Sequence, residues 1–426
     1  MTLAMIATMV VLLLLGFPMM IPLLAATFVA FFGFFSGISP DIMVQQMLGG
    51  IRPAALTAVP MFILAADIIT KGHSADRLLD LIMKFAGHVK GGLGVTAAAT
   101  CTLFGAVSGS TQATVVAIGG PLRPRMLQAG YKDSYVLALI VNASDIAMLI
   151  PPSIAMIVYG VVSGTSIAEL FIAGVGPGLL ILVLFSAYSV AYASVHDIPT
   201  LPKATWSERL DVMKRAVWPL GFPVIIVGGI YGGVFSPTEA AAVCVLYAFL
   251  LEFVIFRSLK LAELWGIAMS TGLITAVVFI LVGIGAAFSW AISFAQIPQE
   301  IIAALGLAEA GPTMVLIAIS IAFFIGCMFV DPIVVILVMV PIFAPLVQAT
   351  GLDPVLVGVI VTLQVAIGSA TPPFGCDIFT AIAVFKRPYM DVISGTPPFV
   401  LILLAVSVAL ILFPQIALFL RDLAFR

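Results

Sequence analysis

The sequence predicts an all-α polytopic membrane protein, and composition is the first reason. Of the 426 residues, 62% are hydrophobic and only 9% are charged, whereas soluble domains average about 45–50% apolar and about 25% charged residues. The segment between Lys260 and Lys386 contains no lysine or arginine. Long apolar runs of this kind predict helices inside a lipid bilayer. The same composition excludes a disordered chain, a nucleic-acid-binding protein and a secreted disulfide-rich protein.

The N-terminal segment is apolar from its first residue. No lysine or arginine precedes Arg52, although a cleavable signal peptide begins with a basic stretch. We therefore expect residues 1–54 to form scaffold helices that stay in the membrane. The cysteines stand singly in apolar segments without the spacing of a metal site, which predicts that they are packing residues. They are Cys101, Cys244, Cys327 and Cys376.

An internal duplication is the second reason for the predicted fold. Seven glycines and prolines recur at a constant offset of 221 residues, in the pairs Gly105/Gly326, Pro124/Pro345, Gly130/Gly351, Pro151/Pro372, Pro152/Pro373, Gly174/Gly395 and Pro177/Pro398. Because glycine and proline set backbone conformation, the pattern indicates a duplicated arrangement of turns and helix breaks. We expect repeats over 55–200 and 270–426, with a linker and scaffold helices over 201–269. Paired repeats with matching breaks are typical of secondary transporters.

Each repeat contains an apolar run whose length does not suit a single membrane helix. Between Lys90 and Arg123 lie 32 uncharged residues, about 48 Å of helix against a hydrocarbon core of about 30 Å. In the second run the only charge is Asp331, which has 21 uncharged residues on either side. We therefore predict two re-entrant helical hairpins, over 90–128 and 310–350.

The charges that flank the two hairpins predict opposite orientations. The first hairpin is flanked by Lys84, Lys90, Arg123, Arg125 and Lys132, and the second by Glu300, Glu309 and Asp353. By the positive-inside rule, the first hairpin should open toward the cytoplasm and the second away from it. The duplication is therefore predicted to be an inverted repeat.

Each hairpin is followed by an apolar segment that a double proline interrupts. The segments cover 133–163 and 354–385, and the interruptions are Pro151–Pro152 and Pro372–Pro373. Proline removes a backbone donor, so carbonyl groups at membrane depth lose their partners. Such backbone is tolerated only inside protein or beside a wet cavity. Free carbonyl and hydroxyl oxygens there suit Na⁺, and half-helix N-termini suit a substrate carboxylate.

Three motifs carry a specific resemblance to a known family. They are GAVSGSTQAT over 105–114, IPPS over 150–153 and GSATPP over 368–373. Together they resemble the large membrane (M) subunit of tripartite ATP-independent periplasmic (TRAP) transporters, and the resemblance extends over nearly the whole chain. It implies an elevator-type transporter like those of the ion-transporter superfamily, in which hairpins and broken helices form the mobile domain.

The resemblance also implies how the protein works and with which partners. It implies a multi-pass protein of the bacterial inner membrane that performs Na⁺-coupled symport, with no enzymatic activity and no organic cofactor. The implied partners are a small four-helix membrane (Q) subunit and a periplasmic substrate-binding protein (P subunit). Within the family the chain looks like the sialic-acid branch, with a C4-dicarboxylate or another carboxylate as the alternative substrate.

Site residues follow from the resemblance by position. One Na⁺ site is expected to use Ser108, Ser110, Asn142 and the backbone of Ala147, with Asp145 as a possible further ligand. A second Na⁺ site is expected to use Gly326, Phe329, Gly368 and Thr371. Substrate contacts are expected from Ser110, Ser153, Asp331 and Thr371.

Several of these residues have a structural alternative. Asp331 precedes Pro332 and could simply cap a helix, although a charge at membrane depth indicates function by default. Asp145 could belong to an ion site or be a neutral acid bonded to a hydroxyl. Asp377 could pack in the interior, face cytoplasmic water or contact an ion. The Thr371 hydroxyl could bind an ion or bond to its own helix backbone.

Two other function classes share parts of the pattern. An ion channel would also use broken helices and an acidic residue at membrane depth. An intramembrane serine protease would use a motif such as GAVSG over 105–109, but its serine needs a base within hydrogen-bond reach. The histidines, His73, His88 and His196, all lie in polar segments at the membrane edges. The inverted duplication favours alternating access over both classes.

Overall fold

The protein is helical throughout the part of the chain that the computed structural model describes, residues 1–304, 306–307 and 309–425. Those residues contain no β-strand. The prediction of an all-α protein is confirmed.

The helices before the first predicted hairpin are α1 (Thr2–Leu14), α2 (Met20–Gly33), α3 (Asp41–Gly50), α4 (Ala58–Lys71, after a 3₁₀ turn at Ala54–Thr57) and α5 (Ser74–Ala86). The next helices are α6 (Gly92–Ser108), α7 (Thr111–Gln128), α8 (Asp133–Ser144), α9 (Ile146–Leu149), α10 (Ile154–Ser163) and α11 (Ile167–Val195).

The middle of the chain forms α12 (Trp206–Ala216), α13 (Gly221–Pro223), α14 (Gly229–Tyr231, after a π-helical stretch at Val224–Gly228), α15 (Pro237–Phe249, continued by a π-helical stretch at Leu250–Ile255) and α16 (Leu261–Phe294). The last part forms α17 (Ile297–Ala304), α18 (Pro312–Cys327), α19 (Pro332–Ala349), α20 (Pro354–Ser369), α21 (Cys376–Phe385), α22 (Tyr389–Ile393), α23 (Pro397–Leu412) and α24 (Gln415–Ala424).

Five helical segments of the described chain are long and apolar enough to cross a bilayer: Ala54–Lys71, Ile167–Val195, Pro237–Ile255, Leu261–Phe294 and Pro332–Ala349. Two bent pairs would raise the number to seven: α8–α9 with α10 at 42°, and α23 with α24 at 61°. Helices α6, α18 and α20 are apolar but shorter. At 17 residues, α6 spans only about 25 Å.

The turn between α6 and α7 packs against the first proline break. Gly109 adopts a left-handed φ of +59°, which glycine reaches without steric cost. A Cβ atom at this position would overlap the carbonyl group of Pro152. The Ser110 side chain then accepts a hydrogen bond from the Ala113 amide and begins α7. This turn, residues 108–111, is called the first tip below.

The turn between α18 and α19 packs against the second proline break in a similar way. The Phe374 amide donates a hydrogen bond to the Met328 carbonyl at 3.1 Å. The Asp331 side chain accepts from the Ile333 amide at 2.9 Å and begins α19. This turn, residues 328–331, is called the second tip.

The two broken helices run antiparallel to each other. At one end of the molecule, the Arg123 guanidinium donates twice to Asp133 at the start of α8, and Arg387 beyond α21 reaches the same carboxylate at 2.9 Å. At the other end, the Tyr159 hydroxyl of α10 donates to the Pro354 carbonyl, which starts α20, at 2.9 Å. The start of each broken helix therefore lies beside the finish of the other.

Candidate functional site

A cavity of about 490 Å³ lies between the two tips. Its polar lining comes from Ser110, Thr111 and Gln112 near the first tip and from Asp331 at the second. Among the described residues, Asp331 is the only charged residue that lines this cavity. Ser110 and Asp331 therefore line the same cavity, and their expected roles in one binding site stay a prediction.

The opposite wall of the cavity is apolar. It is formed by Pro18 and Met19 just before α2, by Met20 at the start of α2, by Ile63 of α4, and by Leu273, Ile274, Val277, Val278 and Leu281 of α16. A small ligand in this space would meet a few polar groups on one side and hydrocarbon on the other, the usual make-up of a small-molecule site.

Three oxygen acceptors beside the first break are buried without a hydrogen-bond partner in the described residues. They are Asn142 Oδ1 and both carboxylate oxygens of Asp145, and both side chains are completely buried. The Asn142 amide nitrogen is occupied, since it donates to the Ala138 carbonyl at 2.8 Å. Buried polar atoms nearly always have a partner, so this group of oxygens has the chemistry of a site for a hard cation.

Ser108 is the first residue of the first tip and lies close to the same break. Its hydroxyl is 3.2 Å from that of Thr114, which itself donates to the Ser110 carbonyl. The helices are closely packed here, because a Cβ atom on Gly105 would lie 2.6 Å from the Cα atom of Ala147. The structure therefore places Ser108 and Ala147 on neighbouring helices around the break.

Ser153 begins α10 rather than lining the cavity. Its hydroxyl accepts from the Met156 amide at 3.3 Å, and the residue is completely buried. The neighbouring residue Ile154 does line the cavity. Ser153 therefore lies directly behind the part of the cavity wall that Ile154 forms.

The residues of the second expected ion site also lie together. A Cβ atom on Gly368 would lie 2.6 Å from the Cβ atom of Cys327, the residue after Gly326. The Thr371 hydroxyl donates to the Ile367 carbonyl at 2.6 Å, so the backbone bond that the sequence left as an alternative is present. Phe329 is 55% exposed and packs beside Phe374.

Asp377 connects the first tip to the second break. Its carboxylate accepts from the Thr111 hydroxyl at 2.7 Å and from the Ser369 hydroxyl at 2.6 Å. The residue is completely buried, so it is not solvated by the cytoplasm. Gln112, which has no role predicted from the sequence, and Cys376, expected to be a packing residue, both line the cavity. Their positions next to the first tip and the second break were the only available signals.

No group of three or more His, Cys, Asp or Glu residues that could hold a metal ion occurs in the described part of the chain. The candidate ligands are instead hydroxyl, amide, carboxylate and backbone oxygens, which favour hard cations over transition metals.

Comparison with known proteins gives a family and close relatives. Residues 6–416 match the family model described as the DctM component of tripartite ATP-independent periplasmic transporters. The large permease protein of the ectoine/5-hydroxyectoine TRAP transporter of Ruegeria pomeroyi is 74% identical over 419 residues, which cover 98% of each chain. The corresponding protein of the ectoine TRAP transporter of Halomonas elongata is 70% identical over the full length of both chains.

A solved structure is similar in fold. The YdaH transporter of Alcanivorax borkumensis superposes with a TM-score of 0.57 at 14% identity and covers 88% of this chain and 87% of its own. At this level of identity the similarity concerns the fold alone.

The expected preference for sialic acid is wrong. Both relatives named above are permeases for ectoine compounds. The three motifs that suggested the family lie at or beside the tips and breaks.

Replacing Thr111 with valine tests how much the hydrogen bond from the Thr111 hydroxyl to Asp377 stabilises the protein. The substitution keeps the shape of the side chain but leaves a buried carboxylate oxygen without its donor, which costs about 1–3 kcal/mol. We expect a lower apparent melting temperature for the purified protein in detergent. Thr362→Val is the control, because the buried Thr362 hydroxyl bonds only to the Gly358 carbonyl of its own helix. Equal decreases in melting temperature for Thr111→Val and Thr362→Val would show that the hydrogen bond from Thr111 to Asp377 stabilises the protein no more than the hydroxyl bond of Thr362 within its own helix.

Proposed function

Since the chain belongs to the DctM family of tripartite ATP-independent periplasmic transporters, we propose that it imports ectoine or 5-hydroxyectoine by Na⁺-coupled symport. The observation that carries the proposal is the near full-length identity to two ectoine permeases. The chain is a transporter subunit of the inner membrane and not an enzyme. Its family membership implies a small membrane subunit and a periplasmic binding protein as partners.

The charge of the cavity supports ectoine over a dicarboxylate. Ectoine combines a carboxylate with a delocalised amidinium cation in one small ring. The single charged residue that lines the cavity, Asp331, is acidic, so it would attract the amidinium and repel a dianion. Ser110 and Gln112 offer donors for the substrate carboxylate, and the apolar wall would contact the ring carbons.

The buried oxygens beside the first break support one Na⁺ site. We propose that Ser108, Ser110, Asn142, the Ala147 carbonyl and Asp145 provide its ligands. A carboxylate and an amide oxygen that are buried without a partner carry a large desolvation cost, and a bound cation would offset it.

A second Na⁺ is proposed between the second tip and the second break. Its ligands would be backbone oxygens at Gly326, Phe329 and Gly368, together with the Thr371 hydroxyl. A hydroxyl that donates its proton to a carbonyl still has lone pairs for a cation. The hydrogen bond from Thr371 to Ile367 therefore orients the hydroxyl oxygen without occupying it.

The organisation proposed for transport is an inverted repeat with an elevator-type mobile domain. The repeats would cover 55–200 and 270–426, with scaffold elements in 1–54 and 201–269. The antiparallel course of the two broken helices supports the inversion. The close packing of Gly105 of α6 against Ala147 of α9 has a counterpart about 221 residues later, where Gly368 of α20 packs against Cys327 of α18, and this supports the duplication. The short helices α6 and α18 support re-entrant hairpins, because neither spans a full bilayer.

Uptake in proteoliposomes tests the proposal. The chain is reconstituted with its small membrane subunit and supplied with the periplasmic binding protein and radiolabelled ectoine. We expect saturable uptake that requires an inward Na⁺ gradient and the binding protein. Current that flows without substrate or binding protein would indicate a channel instead. Uptake of a C4-dicarboxylate in preference to ectoine would contradict the substrate assignment.

Asp331→Asn should remove the negative charge at this position while the side chain still caps the helix. Asparagine caps a helix about as well as aspartate, so the melting temperature should stay the same. Loss of the partner charge should reduce ectoine uptake roughly tenfold or more, as expected for a charge-assisted contact of about 1.5–3 kcal/mol. The exposed carboxylate of Asp391 provides the control substitution Asp391→Asn. Near-normal uptake by Asp331→Asn would mean that Asp331 is only a cap.

Ser108→Ala should weaken Na⁺ binding. Removal of one ligand is expected to raise the Na⁺ concentration for half-maximal uptake several-fold. Thr96→Ala is the matched control, because Thr96 lies on the same helix and its buried hydroxyl bonds to the Gly92 carbonyl of that helix. If the Na⁺ response of Ser108→Ala equals that of the control, Ser108 does not belong to the ion site.

A further inference from the structure

Helix α12, in the segment between the two predicted repeats, has three distinct faces. One face packs against α5 and contains Arg209 and Ala216, both buried, with Val212 half-buried. A second, polar face contains Ser207, Asp211, Lys214 and Arg215, which are all exposed. The third face lies beside the buried one and is apolar.

The apolar face is exposed, and nothing in the described chain covers it. It consists of Trp206, Leu210, Met213 and Val217, which are all exposed, and Trp206 is 72% exposed. Their spacing of four, three and four residues places them in one stripe of a helix. A helix with an uncovered apolar stripe, a charged face and a tryptophan lies in the plane of a membrane interface.

Arg209 is buried beside this stripe without an acidic partner. Its side chain is 8% exposed, and its Nε and Nη2 atoms have no hydrogen-bond partner in the described residues. The guanidinium carbon lies 5.4 Å from the ring centroid of Phe85 and 5.3 Å from that of Trp206. Arginine is almost never buried unless paired, so two guanidinium donors that lie between aromatic rings without a partner in the described residues indicate a missing anion.

The other basic side chains nearby do not share this property. Lys84 of α5 contacts Glu208 at 2.9 Å, and Arg215 contacts Asp211 at 2.8 Å, all four with exposed or half-exposed side chains. Arg209 is thus the one cation of α12 whose environment is apolar and whose donors are free in the described structure.

We infer that the junction of α5 and α12 binds the phosphate group of an anionic phospholipid. The Nε and Nη2 donors of Arg209 match two phosphate oxygens, since a guanidinium recognises phosphate as a bidentate fork. The stripe from Trp206 to Val217 provides the surface for the acyl chains. Lys203 and Lys214, both exposed, add attraction to the negative cytoplasmic leaflet. A free phosphate would leave the stripe in water.

The site would fix the depth of a connecting element. Helix α5 joins α4 to α6, the first arm of the first hairpin, and it packs against α12. A lipid held at their junction would keep this connection at the membrane surface. The lipid site itself does not depend on the substrate or the ion assigned to the cavity.

Fluorescence quenching tests the inference with the chain assembled with its small membrane subunit. Trp206 is kept as the only reporter by replacing Trp218, Trp265 and Trp290, and the tryptophans of the small subunit, with phenylalanine. Bilayers of phosphatidylcholine receive increasing amounts of brominated phosphatidylglycerol or brominated phosphatidylcholine. We expect roughly five-fold stronger quenching by the anionic lipid at equal mole fraction, the ratio expected from one arginine contact.

Arg209→Gln should abolish that preference, whereas the control Arg215→Gln, on the polar face of the same helix, should keep it. Equal quenching by the two lipids in the single-tryptophan protein that keeps Arg209 would overturn the inference. This result can be obtained even if Arg209→Gln does not fold. Absence of quenching would mean that the small subunit covers the stripe, and it would overturn the inference as well. Competition by millimolar inorganic phosphate would assign the site to free phosphate instead of lipid.

Discussion

The constraint on which this structure depends is that polar backbone groups cannot remain unpaired inside a bilayer. Each proline break interrupts the backbone hydrogen bonds of an apolar segment, and each break packs against the turn of a helix pair. At the first break a glycine allows the turn to approach Pro152, and at the second the Phe374 amide binds the Met328 carbonyl. A break and a tip are therefore one structural unit, and neither would be stable at that depth alone.

Asp377 makes the two units interdependent. Its two hydroxyl donors come from the start of α7 and from the end of α20, so it ties the first tip to the second break. The neighbouring Asp145 is equally buried but has no partner in the described residues. The contrast suggests a division of roles between two buried acids: one holds the elements together, and the other, in the proposed mechanism, becomes neutralised only when a cation is bound.

Local patterns were sufficient to predict the helical class and the family. Hydropathy, single charges and double prolines act within a helix length, so they can be read from one segment at a time. The bridge from Thr111 to Asp377 spans 266 residues and depends on how α7 packs against α21, which no local pattern records. The buried position of Arg209 was equally invisible, because the segment around it reads as a polar linker. The predicted substrate preference was wrong because it rested on the family resemblance alone, and no residue of the three motifs identifies the substrate.

The contrast between the polar and the apolar wall of the cavity has a consequence for how substrate specificity can change during evolution. The polar groups that line the cavity belong to the tips or, like Gln112 and Cys376, lie beside a tip or a break, whereas the facing surface is hydrocarbon and includes the adaptable side chains of Met19 and Met20. An apolar facing wall tolerates any solute of suitable size. New specificity could then evolve through a few replacements at the tips, while the machinery that spans the bilayer stays as it is.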